Sequence, residues 1–250
     1  HLYAPYTKKE VLGTDIDALL KNKQHIDNLI ERAYASTLYN LGKKDNVEDY
    51  LPYPLKGIQL LTAEIIKDYV IASLKQDQAR TPFYYMASEA SLDNFIEVPG
   101  IEQKIKLKGF VDRIEEKDKY IQIYDYKTSN KTEIKHITNV ENDINNLFID
   151  GKITGQDKIL QLCFYYLLAE KKYNHSNIKV HLYFVKKVFE DTLLFNTTTE
   201  RVLPDGWKDL FIENLNQQIT KMLQVDELFT LADEKSKTCD YCKFKAICGR

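Results

Sequence analysis

The sequence of 250 residues is poor in cysteine, lacks a long apolar run and carries no excess of basic residues. No segment approaches the length of a membrane span, and no signal-peptide pattern opens the chain. The net charge of −2 argues against a protein that merely coats nucleic acid, since such proteins are clearly basic. A nuclease is compatible with it, because an acidic site attracts metal and basic contacts can be local. We expect a cytoplasmic globular protein with no membrane partner.

Three of the four cysteines, Cys239, Cys242 and Cys248, fall within the last dozen residues. This clustering is typical of metal ligation more than of a disulfide framework. Thiolates at this spacing suit a [4Fe–4S] cluster or Zn²⁺, but a fourth ligand is missing, since no cysteine precedes Cys163. The alternative is a C-terminal knuckle with free thiols. Cys163 lies in an apolar helical pattern, and we predict that it is a small core residue.

Apolar periodicity divides the chain into a helical section over residues 1–80, an α/β core over 81–235 and a cysteine-rich tail over 236–250. The polar stretch 130–155 is predicted to be a mobile loop, and 42–55 a second loop. Helices are expected at about Asp15–Leu41, Gly57–Gln78, Asp157–Tyr173 and Trp207–Val225. Strands are expected at Phe83–Glu89, Phe95–Val98, Lys104–Glu115, Tyr120–Lys127, Ile178–Val188 and Thr192–Asn196.

Two apolar, β-prone segments, Gly109–Ile114 and Tyr124–Thr128, each place a carboxylate where a strand should bury apolar side chains. A short polar turn of even length between them would pair Glu116 with Ile121. The same register sets Asp112 opposite Asp125 on one face, about 5 Å apart at Cβ. Lys127 shares that face, because side chains two residues apart on a strand point the same way. The apolar neighbours on both faces favour a sheet covered by helices on both sides.

Two carboxylates this close repel each other without a cation. Oxygen-rich sites of this kind suit Mg²⁺ or Mn²⁺, which activates water and neutralises charge on a phosphate. Lys127 would stabilise that charge or orient the water. The alternative is a partly exposed hairpin in which Asp112–Arg113 and Asp125–Lys127 are solvated ion pairs.

Together these segments resemble the PD-(D/E)XK nucleases, and within them the RecB and AddB nuclease domains and the CRISPR-associated exonucleases. The pattern typical of that branch is G-x-x-D-R-I-D, then D-Y-K-T-G, then a helix with Q-L-x-x-Y. The three parts correspond here to Gly109–Ile114, Tyr124–Thr128 and Gln161–Tyr165. The resemblance runs from about Tyr84 to the C-terminus. It implies a restriction-endonuclease-like α/β fold with a central mixed sheet flanked by helices.

The resemblance also implies roles for individual residues. Metal would be bound by Asp112, Asp125 and the backbone carbonyl of Tyr126, with Glu89 as a further acidic candidate. The catalytic residues would be Asp112, Asp125, Lys127 and Gln161, and the substrate-binding residues Arg113, Thr128 and Tyr165. The cysteine triplet is similar to that of AddB-type nucleases, in which an N-terminal cysteine completes an iron–sulfur cluster.

The sequence departs from the pattern in two places. Ser129 follows Thr128 where the family has glycine, and the N-terminal helix with its histidine ligand has no match, since His1 stands too close to Leu2-Tyr3. The opening residues read like the interior of a longer protein, so we expect a fragment. We expect a metal-dependent DNA exonuclease domain of DNA repair and recombination, with an upstream helicase region or a helicase partner. The alternatives are an inactive DNA-binding scaffold of the same fold and a generic α/β domain with a zinc knuckle.

Overall fold

The computed structural model describes residues 2–42, 45–129, 133–149, 152–173, 177–189, 198–224, 226, 239 and 242–249. Within them, five strands form one mixed sheet in the order β1-β2-β3-β4-β5. The first four strands are antiparallel neighbours, and β4 and β5 run parallel. The strands are β1 Lys9–Val11, β2 Phe83–Ile96, β3 Ile105–Lys117, β4 Tyr120–Lys127 and β5 Ile178–Phe184.

Helices cover both faces of this sheet. The helices are α1 Gly13–Lys21, α2 Lys23–Leu38, α3 Ile58–Ala79, α4 Val140–Asn146, α5 Gln156–Tyr173, α6 Thr199–Val202 and α7 Trp207–Leu223, with short 3₁₀ turns at Ala4–Tyr6, Val47–Tyr50 and Val185–Lys187. Helix α5 crosses one face of β2, β3 and β5, and it is buried almost all round its axis. Helix α3 lies on the opposite face. This is the predicted α/β fold with a mixed sheet between helices.

A tight turn fixes the register of the β3–β4 hairpin. Asp118 and Lys119 both have positive φ, which is the backbone of a type I′ turn and matches the twist of the flanking strands. Lys117 pairs with Tyr120 across this turn, and Glu116 pairs with Ile121, as predicted. The even loop therefore keeps the alternation of the two strands in phase.

Several elements differ from the sequence-based expectation. The two predicted strands between residues 83 and 98 are one strand, β2, whose ladder continues past a register shift near Tyr85. Helix α4 lies inside the stretch predicted to be a loop, because Asn139 caps it and Ile144 is fully buried. Strand β1 was missed because it has only three residues. The strand predicted at Thr192–Asn196 lies outside the described residues.

The apolar core is divided by the sheet. The larger cluster fills the α5 side, where Ile114, Ile123 and Leu162 are fully buried, and it includes Cys163 as predicted. A smaller cluster joins α1–α3 to β1 and β2. Among the helices in the described parts of the chain, none has the length and apolar character needed to cross a membrane.

Candidate active site

Asp112 lies where β3 and β4 separate. The last paired residues are Arg113 and Tyr124, and the next step of this register sets Asp112 opposite Asp125. There the Oδ2 atom of Asp112 accepts a hydrogen bond of 2.6 Å from the backbone N–H of Tyr126. The side chain of one strand thus holds the backbone of the other, which fixes the position of the carboxylate.

A third carboxylate continues the row. The β2–β3 pairs on either side of Glu89 set it opposite Asp112, and its φ of 45° lies in the left-handed region that few non-glycine residues occupy. Glu89 is exposed, and it lines a cavity together with Asp112 and the exposed Thr128. Burial raises the pKa of the Asp112 carboxyl; the Tyr126 N–H opposes this rise, while the charges of Asp125 and Glu89 add to it. Negative charge therefore accumulates around the Asp112 carboxyl.

Asp125, Lys127 and Gln161 form a closed polar network on the α5 face. The Lys127 Nζ atom lies 2.6 Å from Asp125 Oδ2 and donates to Gln161 Oε1 at 2.5 Å. The Gln161 Nε2 atom donates in turn to Asp125 Oδ1 at 2.9 Å. Because the amide of Gln161 contacts both charged groups with matching donor and acceptor atoms, it fixes the lysine beside the carboxylate.

Tyr165 anchors this network to the neighbouring strand. Its hydroxyl donates to the Phe110 carbonyl at 2.6 Å, accepts from Gln161 Nε2 at 2.8 Å, and lies 3.3 Å from Asp125 Oδ1. Burial, foremost, raises its pKa to about 12, so the hydroxyl stays protonated as a donor. Its ring packs over Gly109, where a Cβ atom would meet Tyr165 and Leu168 at 3.0 Å. The glycine therefore allows α5 to approach β3.

Arg113 has a placement that does not fit the predicted contact with substrate. Only 3% of the residue is exposed, and its guanidinium pairs with Asp77 of α3 at 2.7 Å and with Glu115 at 2.6 Å. Arg80, the residue that follows α3, pairs with the same two carboxylates. The Arg113 side chain points towards α3, whereas the next residue, Ile114, packs in the core on the α5 side. The structure thus gives Arg113 a structural role on the α3 face.

Sequence reasoning missed the α3 partners of this network. Asp77 is 7% exposed and accepts hydrogen bonds from Arg113 and from the Tyr3 hydroxyl at 2.6 Å. A signal was available, since Asp77 follows Val70 and Leu74 on the apolar face of α3. A carboxylate on such a face requires a buried cation, and Arg113 is that cation.

The donor atoms fit a divalent metal that keeps several waters. Oδ2 of Asp125 is buried and receives no directed hydrogen bond, although the charge of Lys127 is near. Within the described residues, no three His, Cys, Asp or Glu side chains come close enough to form a metal-holding group. Mg²⁺ is bound by one or two carboxylates with water in its remaining positions. Asp112, Asp125 and the carbonyl of Tyr126 are therefore an adequate set.

Metal binding by the three tail cysteines stays a prediction. No disulfide joins Cys239, Cys242 and Cys248, and among the described residues no group of three His, Cys, Asp or Glu side chains is close enough to hold a metal. The Cys242 N–H donates to the Cys239 carbonyl at 3.2 Å.

A mixed sheet between helices, with two acidic residues and a lysine where two strands part, is consistent with the restriction-endonuclease-like fold class. A family model of the PD-(D/E)XK nuclease superfamily matches residues 4–249, and the chain belongs to that superfamily. Comparison with curated proteins gave no match. A solved structure titled "Crystal structure of SSO0001" is 17% identical, with a TM-score of 0.35, over 93% of this chain and 94% of the other. Nucleases of this superfamily use divalent metals such as Mg²⁺.

Proposed function

We propose that this chain is a Mg²⁺- or Mn²⁺-dependent deoxyribonuclease that hydrolyses phosphodiester bonds as an exonuclease. One observation carries the proposal. The Lys127 ammonium is held between Asp125 and Gln161, at the strand end where Asp112 also lies. A partly buried ion pair costs desolvation energy, and the charges of both its members act on the nearby Asp112 carboxyl. Such an arrangement is useful when a cation and an anionic substrate both bind.

Each residue has a distinct part in this chemistry. Asp112, Asp125 and the Tyr126 carbonyl would hold the metal, which when bound supplies an activated water and neutralises charge on the phosphate. Lys127 places a positive charge next to the reacting phosphate and stabilises its developing negative charge. Gln161 and Tyr165 keep the lysine and the carboxylate in register through their hydrogen bonds. Glu89 and Thr128 border the approach to Asp112.

The motif order supports the finer assignment to a RecB/AddB-like helicase-nuclease of DNA repair and recombination. The segments Gly109–Ile114, Tyr124–Thr128 and Gln161–Tyr165 stand in the order of that branch. Their side chains meet at one place, since Gln161 of α5 contacts both Asp125 and Lys127 of β4. On this proposal the domain works beside a helicase region or a helicase subunit, in the cytoplasm.

A second candidate is an inactive DNA-binding scaffold of the same fold. It is favoured by the direct contact of 2.6 Å between Lys127 and Asp125, because a satisfied ion pair needs no metal. It is also favoured by the lack, among the described residues, of a third acidic, histidine or cysteine side chain close enough to join a metal site.

A cleavage assay with variants distinguishes the two. The protein and its Asp125→Ala and Lys127→Ala variants are incubated with linear single- and double-stranded DNA, with Mn²⁺ or with chelator. We expect metal-dependent release of nucleotides by the wild type and a loss of at least about 1,000-fold in both variants. Binding of Mn²⁺, followed by its paramagnetic resonance, should weaken in Asp125→Ala and persist in Lys127→Ala.

A surface lysine serves as the matched control. Lys104 also pairs with a carboxylate, Glu97 at 2.8 Å, but both side chains are more than half exposed. The Lys104→Ala variant should cleave as the wild type does. Absence of metal-dependent cleavage by the wild type, together with retained binding of DNA, would leave the scaffold as the function.

A further inference from the structure

A large cavity connects the candidate metal site to the N-terminal helices. Its volume is about 990 Å³, at the upper end of the range of about 300–1,000 Å³ for ligand pockets. Its two sides differ in chemistry. One side is apolar and consists chiefly of α3 side chains, namely Ile65, Ile66, Tyr69 and Val70. The other side carries polar groups of the strand ends, among them Ser88, Glu89, Asp112, Thr128 and Lys186.

The apolar side arises because α3 packs on the sheet over only part of its length. Towards its C-terminus, Leu74 is 2% exposed and Asp77 is 7% exposed. Two turns earlier, Ile65 is 47% exposed and Ile66 is 37% exposed, although both line the cavity. Exposed apolar surface beside polar groups marks a binding site more often than chance. We name Ile65, Ile66 and Tyr69 the α3 wall. This wall is suited to bind a ligand that has an apolar face.

The ligand must also carry a phosphodiester to Asp112, if the proposed function is correct. In duplex DNA the base faces are stacked on each other, and the surface offers phosphates, sugars and the polar edges of the grooves. An unpaired nucleotide instead exposes a flat aromatic face, which stacks on tyrosine and packs against aliphatic side chains. The wall thus fits a single strand and offers little to a duplex.

We infer that the α3 wall is a subsite for unpaired nucleobases of a single-stranded DNA end whose phosphodiester lies at Asp112. This inference rests on the proposed function for the identity of the ligand and adds residues that no sequence motif includes. Tyr69 is the aromatic platform, and its ring already lies 5.3 Å from that of Phe189 in a tilted arrangement. Through the α3 wall, the helical section would contribute to the selection of substrate as well as to the stability of the fold.

Binding measured in chelator tests the subsite without cleavage. Fluorescence anisotropy is recorded for a single-stranded oligonucleotide and for a blunt hairpin duplex. The double variant Ile65→Ala/Tyr69→Ala should raise the Kd for the single strand about tenfold, since each stacked base contributes strongly. The Kd for the hairpin should stay within about twofold. 2-Aminopurine, moved through the terminal positions of the strand, should lose its quenching in Tyr69→Ala and keep it in Tyr69→Phe.

Leu60→Ala is the matched control, because Leu60 lies on the same helix, is 54% exposed and is absent from the cavity lining. It should change neither Kd. The inference is overturned if the double variant binds the single strand as tightly as the wild type. It is equally overturned if the double variant binds the single strand and the hairpin more weakly by the same factor, or if Leu60→Ala has the same effect as the double variant. The wild type could fail to cleave DNA while the double variant still loses binding of the single strand selectively. That result would support the subsite and refute only the nuclease activity.

Discussion

Two clusters of buried charge lie on opposite faces of the β3–β4 hairpin. On the α3 face, two guanidiniums meet two carboxylates, and Arg80 and Arg113 each contact both Asp77 and Glu115. On the α5 face, Asp125 pairs with Lys127, and Asp112 lies at the edge of this cluster, where it also lines the cavity on the α3 side.

The difference between the clusters is one of charge balance. On the α3 face each charge has an opposite partner, and the charges of Arg113 and Arg80 outweigh burial and lower the pKa of Asp77. On the α5 face the excess is negative, and burial together with neighbouring carboxylates raises the pKa of Asp112. A balanced network maintains the fold, whereas an unbalanced one is suited to bind a cation. The predictions below separate these roles.

The largest effect is expected from Arg113→Met, which leaves two buried carboxylates with one cation fewer. Removing one partner of a buried ion pair costs about 3–5 kcal/mol of unfolding free energy. The loss should appear as a lower denaturant midpoint in urea unfolding followed by circular dichroism. Lys127→Met is the companion variant on the other face. It should cost much less stability, because water reaches 23% of the Lys127 side chain. Equal losses would remove the distinction between the faces.

His181 gives the second effect, a dependence of stability on pH. It is 5% exposed and its ring stacks on that of Tyr124 at 4.6 Å. Burial, assisted by the charges of Arg80 and Lys179, lowers the pKa of His181 to about 3. Below pH 6.5 the unfolded chain therefore binds a proton that the folded chain excludes. Stability contributed by the neutral ring is complete above pH 6.5 and is lost as the pH falls towards 3.

The measurement is the unfolding free energy of the wild type and of His181→Phe between pH 7 and pH 4. The wild type should lose about 3 kcal/mol more than the variant over this range. Phenylalanine keeps the stacked ring and removes the titrating group, so it isolates the histidine. Parallel curves for the two proteins would contradict the assignment.

Gln161→Ala should have a smaller effect, confined to activity. The amide touches both Lys127 and Asp125, and loss of such a supporting contact lowers metal affinity or activity about 10- to 100-fold. The concentration of Mn²⁺ that gives half of the maximal rate should rise, while the melting temperature stays close to that of the wild type. Gln217→Ala is the control, an exposed glutamine on α7. A large drop in stability for Gln161→Ala would make the glutamine a structural residue.

The smallest effect is expected from Arg32→Ala. Arg32 pairs with Glu48, and both side chains are more than one-third exposed. Exposed pairs contribute about 0–1 kcal/mol, so the urea midpoint should hardly move. A loss comparable to that of Arg113→Met would show that burial does not distinguish the ion pairs of this protein.

The sequence predicted the elements that depend on local pattern. The parity of the turn at Asp118-Lys119 gave the pairing of Glu116 with Ile121, and alternation along β4 put Asp125 and Lys127 on one face. Helix α5 followed from apolar spacing, and Gln161 was singled out on it by the resemblance to the PD-(D/E)XK nucleases. Helix α4 was missed because its capping residue, Asn139, and its buried apolar side chain, Ile144, stand in an otherwise polar stretch. The ion pairs of Arg113 with Asp77 and Glu115 were not predicted, because a strand pattern does not name the helix that covers the other face of the strand.

By itself, the sequence determined which side chains share a face, because alternation along a strand and the length of a turn are local properties of the chain. It thereby determined the pairing of carboxylates and the lysine beside them. Tertiary structure alone decided which charges are neutralised. Asp77 is 36 residues from Arg113, and only the packing of α3 on the sheet joins them. The same packing leaves Ile65 and Tyr69 beside the carboxylates, since α3 extends past the sheet that covers its C-terminal half.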